Sequence, residues 1–249
     1  MIDSYVALDL ETTGLYPSTD RILEIGAVKV VEGKEVGTLS VLVNPGRQVS
    51  EHITRLTGIT DEMALGGMVY EEAVHQLVEF CGDLPLLGHN ILFDYSFVKQ
   101  AAVNQKLVFE KKGVDTLKIA RRLLPELEHR TLEYLCAYYG IGQERHHRAE
   151  DDARSAMSLY ECLHQEFPDS PQEWFAPAAL VYQAKKQSPI TLAQKEYLND
   201  LLKYHIIEIP VRVESLTKSE ASRMIDKIIL EHGRIPGRRQ GTFRKDARR

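Results

Sequence analysis

The sequence predicts an α/β protein, with a sheet covered by helices on both faces and a small helical appendage after it. Three strand-like segments come first, and helical segments then alternate with two more short strands, which is the order typical of such a sheet. At 249 residues the chain exceeds the roughly 100–200 residues of a usual single domain. We therefore expect one main domain with additional material.

The strands are predicted from apolar, β-branched runs bounded by turn residues. In chain order the segments are 5–10, 22–31, 36–43, 84–87 and 114–115. Gly33 joins the second and third strands as a hairpin, and Asn44 begins a turn sequence that ends this part of the sheet.

The helices are predicted from apolar residues recurring three and four positions apart. In chain order the segments of the main domain are 51–56, 70–81, a helix through 93–101, 116–124, 131–139 and 149–167. Gly140 and Pro168 follow the last two and are typical of helix ends.

Composition divides the chain into four parts. Residues 1–168 are expected to form the main domain, and residues 169–190 a linker, because four prolines lie at positions 168–189. Residues 191–232 contain two amphipathic segments, 192–204 and 219–232, and are expected to form a helical accessory module. Thr217 precedes Glu220 by three residues, as in a helix capping box.

The last part, residues 233–249, is a basic tail. It holds seven basic residues and one acid, which gives the tail a charge of +6. Because the whole chain carries −5, the remaining residues carry −11. An acidic body fits a cluster of carboxylates that bind metal, and a basic tail fits loose attachment to phosphates. The alternative for the tail is a disordered, solubilising end.

Membrane and secretory functions are not predicted. The apolar runs are shorter than the roughly 18 residues that cross a bilayer, and the first residues lack a secretory signal pattern. A cytoplasmic protein without a membrane partner is expected. Three widely separated cysteines favour neither a disulfide framework nor a zinc site.

Three short motifs carry candidate chemistry. In the first, Asp9 and Glu11 end the first strand, and alternation along a strand places both on one face. Two carboxylates at the end of a buried strand repel each other and lose hydration, and a divalent cation removes that cost. The alternative is a pair of solvated acids.

In the second motif, residues 88–94, Asp94 lies on the apolar face of the helix that follows a buried strand. An acid there needs a partner, although capping of the helix is the alternative. Asp115, which also precedes a helix, is interpreted as a cap.

The third motif, residues 146–152, contains two histidines, each with an aspartate five residues later. Helical geometry favours Asp152 over Asp151, because Asp152 shares the packing face of the helix. His147 is then the paired histidine, with a surface histidine as the alternative.

Together the motifs resemble the DnaQ-like DEDDh 3'-5' exonucleases, the proofreading family of bacterial replicative polymerases. The matching patterns are D-x-E-T-T-G, H-N-x-x-F-D and H-R-A-x-x-D, in the family's order. Residues 56–62, 115–117 and 129–132 are similar to the family's PolC-type branch, and the resemblance covers about residues 4–167.

The resemblance implies a ribonuclease H-like, five-stranded mixed sheet with an antiparallel second strand. It implies that Asp9, Glu11, Asp94 and Asp152 bind two Mg²⁺ or Mn²⁺ ions roughly 4 Å apart, and that His147 is the general base. Oxygen ligands suit these ions. The implied reaction hydrolyses DNA, preferably at single-stranded 3' ends, to nucleoside 5'-monophosphates.

The resemblance also suggests residues that bind the terminal nucleotide and its phosphate. They are Thr13, Gly14, Leu15, Leu56, His89 and Asn90, with a buried structural role as the alternative for His89. Expected partners are DNA 3' ends, and a DNA polymerase subunit or another replication or repair protein. The alternative functions are trimming of RNA and, without catalysis, binding of nucleic acid or a polymerase.

Overall fold

A computed structural model describes residues 2–142 and 148–236 of the chain. The chain divides into two compact units, residues 1–186 and 187–249. Within the described residues, no helix combines the length and apolarity that crossing a bilayer requires.

The first unit is built on a mixed sheet, as predicted. The five predicted strands are present as β1 (Tyr5–Thr12), β2 (Ile22–Val31), β3 (Lys34–Asn44), β5 (Leu86–Gly88) and β6 (Lys112–Asp115). The described residues add two strands of two residues each, β4 (Met68–Val69) and β7 (Ala178–Ala179), at opposite edges. Strands this short carry too little pattern to be predicted from sequence.

The strand order is β4-β3-β2-β1-β5-β6-β7. β2 runs antiparallel to both β1 and β3, whereas β5 and β6 run parallel to β1. The expected antiparallel second strand is therefore confirmed. The parallel strands β1 and β5 bring their carboxyl ends to the same edge of the sheet, which is where ligand sites form in α/β folds.

Helices cover both faces of this sheet. They are α1 (Glu51–Thr57), α2 (Asp61–Leu65), α3 (Tyr70–Cys81), α4 (Leu92–Asn104), α5 (Thr116–Leu123), α6 (Leu132–Tyr139) and α7 (Ala149–Glu166). α3 and α4 pack on one face with Leu8 and Leu10, and α5, α6 and α7 pack on the other with Ala7. The alternation of side chains along β1 thus supplies both cores.

Residues 169–186, which are the larger part of the predicted linker 169–190, pack as part of the first unit. Phe175 is fully buried and stacks obliquely against Tyr160 of α7, whose hydroxyl donates to the Phe175 carbonyl at 2.9 Å. Leu180 is also buried, against Gly113 of β6. Single apolar residues among prolines give no periodic signal, so this packing could not be predicted from sequence.

The second unit contains a helical pair with its own small core. α8 (Leu192–His205) and α9 (Lys218–His232) each begin with a capping box, at Thr191 and Thr217. Between the helices, the buried Gln194 side chain donates to the Lys218 carbonyl and the Ser222 hydroxyl, both at 2.9 Å. The apolar contacts come from both helices and the segment between them, chiefly Leu198, Leu201, Val213, Ile225 and Ile228.

Candidate active site

A cleft of about 380 Å³ opens at the carboxyl ends of β1 and β5. Its lining comes from the end of β1, from the start of α4, α6 and α7, and from the loop between β5 and α4, and comprises Asp9, Leu10, Glu11, His89, Asn90, Phe93, Asp94, Thr131, Leu132, Glu133 and Asp152. All four predicted metal-binding acids therefore lie in one cavity, although they are up to 143 positions apart in the chain.

β1 presents Asp9 and Glu11 as the sequence predicts. The two side chains are half-buried, and they alternate with Leu8 and Leu10, which are buried on the opposite face. Asp152 reaches them from the first turn of α7, so that carboxylate oxygens of Asp9, Glu11 and Asp152 lie within 4.8 Å of one another.

Asp94 enters the cleft from the first turn of α4. Its side chain is only 3% exposed, and its Oδ1 accepts a hydrogen bond of 3.0 Å from the backbone N–H of Leu10. Asp94 therefore ties α4 to β1 across the sheet edge. This hydrogen bond joins two elements, whereas the alternative role, a helix cap, would act within α4 alone.

The acids are electrostatically unfavourable without a counterion. Burial raises the pKa of Asp9 well above its ordinary value, and the neighbouring carboxylates of Asp94 and Asp152 raise it further. Burial, with the charge of Asp152 next in size, raises the pKa of Glu11 to about 8. Burial also raises the pKa of Asp94. Such a set of oxygen donors fits a hard divalent cation, whose charge offsets the repulsion.

His89 is held by both of its ring nitrogens. Nε2 lies 2.8 Å from the Arg130 carbonyl, and Nδ1 lies 2.9 Å from the Thr116 hydroxyl. A carbonyl only accepts, so we assign the proton to Nε2. Burial lowers the pKa of His89, which favours the neutral ring. His89 lines the cleft, yet both of its ring nitrogens are hydrogen-bonded to the protein itself. This arrangement favours the buried structural role that was the alternative to substrate binding.

The loop before α4 is fixed by Asp115. Asp115 Oδ1 accepts from the backbone N–H of Asn90 at 3.0 Å and of Leu117 at 3.1 Å. The interpretation of Asp115 as a helix cap is confirmed. Asn90 adopts a positive φ of 65°, which asparagine tolerates better than most residues.

Four predicted substrate residues are not among the residues that line the cleft. Leu15 and Leu56 are 73% and 52% exposed. Thr13 uses its hydroxyl to accept from the Arg21 N–H at 2.9 Å, and Gly14 is packed against the Asp20 carboxylate. Their assignment to a nucleotide slot stays a prediction from the family resemblance.

His147 belongs to residues 143–147 and lies outside the described residues. Its predicted role as general base stays a prediction. Asp152, chosen over Asp151 on helical geometry, is the one of the two that lines the cleft.

The sequence analysis did not assign as site residues three residues that line the cleft and one buried acid beside it. Thr131, Leu132 and Glu133 line the cleft from the start of α6. The family-like pattern at residues 129–132 includes the first two of them but not Glu133. Glu24 of β2 is 1% exposed and adds a further charge close to Asp9 and Glu11. An acid within an apolar strand could have indicated it, because such a charge needs a partner.

The mixed sheet, the helices on both faces and the acid-lined cleft at the sheet edge define an α/β nuclease domain of ribonuclease H-like architecture. A family model described as Exonuclease matches residues 6–160, more than half of the chain. The chain belongs to this exonuclease family, within its DnaQ-like group.

Curated relatives point to the same group. Residues of the chain are 37% identical over 157 positions to the DNA polymerase III PolC-type of Clostridium perfringens, and 38% identical over 158 positions to that of Thermotoga maritima. The matches cover 63% of this chain but only 11% and 12% of those proteins. The chain thus spans about a tenth of the length of these relatives.

Solved structures share the fold. Escherichia coli Exonuclease I in complex with a dA16 oligonucleotide aligns with a TM-score of 0.59 and 19% identity, over 68% of this chain and 42% of that one. Exonuclease X in complex with 5' overhanging duplex DNA aligns with a TM-score of 0.52 and 24% identity, over 69% of this chain and 97% of that one.

Proposed function

We propose that the protein is a metal-dependent 3'-5' exonuclease that hydrolyses DNA, preferably at single-stranded ends, to nucleoside 5'-monophosphates. The observation that carries the proposal is the convergence of Asp9, Glu11, Asp94 and Asp152 in one cleft at the edge of the sheet. Proofreading, repair and end-trimming are the processes that such an activity serves.

The four carboxylates would hold two divalent cations, Mg²⁺ or Mn²⁺. When bound, such ions polarise a phosphodiester and stabilise charge on the attacking and leaving oxygens. Asp9 and Glu11 lie two residues apart on β1, so both carboxylates are on one face of the strand, and both line the cleft. His147 is proposed to take the proton of the attacking water, because an imidazole titrates near neutral pH.

DNA is the proposed substrate because the names of the relatives and of the solved structures refer to DNA. The relatives are DNA polymerases of PolC type, and the structural neighbours were solved with an oligodeoxynucleotide and with duplex DNA. A polymerase subunit or another replication or repair protein is the proposed protein partner. RNA is the alternative substrate, since discrimination depends on contacts to the 2'-hydroxyl.

The test is a cleavage assay with 5'-end-labelled oligonucleotides of identical sequence, as single-stranded DNA, duplex DNA and RNA, with Mn²⁺ and with EDTA. We expect a ladder that shortens from the 3' end, faster on single-stranded DNA and absent in EDTA. Equal or faster shortening of RNA would transfer the proposal to RNA, and cleavage in EDTA would overturn the metal-dependent mechanism.

Asp152→Asn and Asp151→Asn form a matched pair for the site. Both change one acid in the first turn of α7, but only Asp152 lines the cleft. We expect Asp152→Asn to lower the cleavage rate by roughly a hundred- to a thousandfold, the range for loss of one group that supports charge stabilisation in the transition state, and Asp151→Asn to stay within threefold. Equal losses in both variants would contradict the assignment.

A further inference from the structure

Glu24 is a buried acid beside the site, and the proposed mechanism does not use it. It lies on β2 directly opposite Glu11 of β1, and two residues later Gly26 lies opposite Asp9. Residues opposite each other on neighbouring strands share one face of the sheet. Glu24 therefore faces the same side as the acids of the cleft, where an ionised group needs strong partners.

Two partners of Glu24 belong to the start of α7. The Arg148 guanidinium donates two hydrogen bonds to Oε1, from Nε at 2.9 Å and from Nη2 at 2.6 Å. The backbone N–H of Ala149 donates to Oε2 at 3.3 Å. The first N–H groups of a helix have no partner within the helix, and the helix's own N-cap side chain makes no capping bond here. A carboxylate from β2 therefore caps α7.

Gly26 lets the same helix end approach the sheet. A Cβ atom at position 26 would lie 2.0 Å from the carbonyl carbon of Ala149. The backbone of α7 thus rests directly on β2 at this point. Asp152 follows Ala149 by three residues, less than one turn of helix, so the contacts at Ala149 determine where the Asp152 carboxylate meets Asp9 and Glu11.

We infer that Glu24 is a positioning residue of the acidic site, which holds the first turn of α7, and with it Asp152, against β1 through Arg148 and Ala149. The inference rests on the proposed function to the extent that the cleft binds divalent cations. The Arg148 charge beside Glu24 also counteracts the repulsion between Glu24 and the neighbouring Glu11.

The test compares Glu24→Gln with Glu35→Gln in the full chain. Glu35 pairs with Arg154 further along the same helix, at 2.8 Å, but on an exposed surface. Mn²⁺ binding is measured by calorimetry, and kcat and KM are measured on single-stranded DNA. We expect Glu24→Gln to weaken Mn²⁺ binding and lower kcat by about tenfold each, with KM within twofold. Glu35→Gln should leave all three within twofold.

Melting curves report whether the variants fold. If Glu24→Gln does not fold, Arg148→Lys replaces it, because the Arg148 side chain is 34% exposed and lysine keeps the charge while losing the two-armed donor. Arg148→Lys is expected to weaken Mn²⁺ binding by about threefold or more. Retained Mn²⁺ binding and kcat in the folded variant would overturn the inference, as would equal losses in Glu35→Gln.

These results separate the inference from the proposed function. A wild-type protein that binds Mn²⁺ but cleaves no nucleic acid would refute the proposed function alone, and weaker Mn²⁺ binding by Glu24→Gln would still support the positioning role. Cleavage by wild type with an unaffected Glu24→Gln would refute the positioning role alone.

Discussion

The metal-free protein should lose stability as the pH rises from 6 to 8. The perturbation is removal of divalent cations with EDTA, which leaves the carboxylates of the cleft to repel one another when they ionise. Glu11 is the group with the clearest effect, because burial and the charge of Asp152 raise its pKa from an ordinary 4.5 to about 8.

The direction follows from proton linkage. Between pH 4.5 and 8 the folded state keeps a proton on Glu11 that the unfolded state has released. The free energy of unfolding therefore falls as the pH increases. This proton-linked stability is fully present below about pH 4.5 and is lost as the pH rises through about 8.

The magnitude follows from the same values. One proton difference changes the free energy of unfolding by about 1.4 kcal/mol per pH unit. Between pH 6 and pH 8, allowing for partial ionisation of the folded state near pH 8, Glu11 alone lowers it by roughly 2 kcal/mol. For a unit of this size that corresponds to a drop in Tm of roughly 4–8 °C.

The assay is a thermal melt at pH 6, 7 and 8, in EDTA and in Mn²⁺. We expect the drop in Tm in EDTA, a higher Tm in Mn²⁺ at pH 8, and a smaller drop in EDTA for Glu11→Gln, which removes the ionisable group. An unchanged Tm between pH 6 and pH 8 in EDTA, or no effect of Glu11→Gln on that difference, would refute the reasoning.

Two further predictions concern the packing of α7 and the basic tail. Gly26→Ala should lower the free energy of unfolding by about 3 kcal/mol, because the added Cβ meets backbone atoms of Ala149. The control Gly37→Ala should lower it by less than about 1 kcal/mol, because its Cβ meets only the Phe80 ring at 3.5 Å. Urea titration measures both changes. Deletion of residues 233–249 should weaken binding to single-stranded DNA. The slope of log K against log salt concentration should become shallower by about 0.7 for each lost phosphate contact. Fluorescence anisotropy measures both, with a control tail of equal length that has glutamine at the basic positions, and an unchanged slope would contradict a role in phosphate binding.

Elements with strong local signals could be predicted from the sequence. The two-residue alternation of β1 placed Leu8 and Leu10 in one core and Asp9 and Glu11 on the other face, as the structure shows. The spacing of Thr217 and Glu220 predicted a capping box that is present. Short elements such as α2 (Asp61–Leu65) were missed, because five residues hold little more than one turn of periodic pattern.

The packing of the segment 169–186 could not be predicted from the sequence. Its prolines predict an exit from the domain, but Phe175 and Leu180 are buried in the cores of the first unit. A single aromatic side chain gains enough by burial to hold an irregular segment in place. Which surface offers the complementary pocket depends on α7 and β6, and no local pattern contains that information.

The sequence by itself determined which acids could act together, because strand alternation and helical periodicity are local properties that assign each side chain to a face. Only the tertiary structure decided that β1, α4 and α7 meet at one sheet edge and that Glu24 and Gly26 of β2 seat the end of α7 there. The physical reason is the distance along the chain between the interacting residues. A buried charge and a backbone contact are satisfied by partners more than a hundred residues away, and their pairing follows from chain topology and close packing.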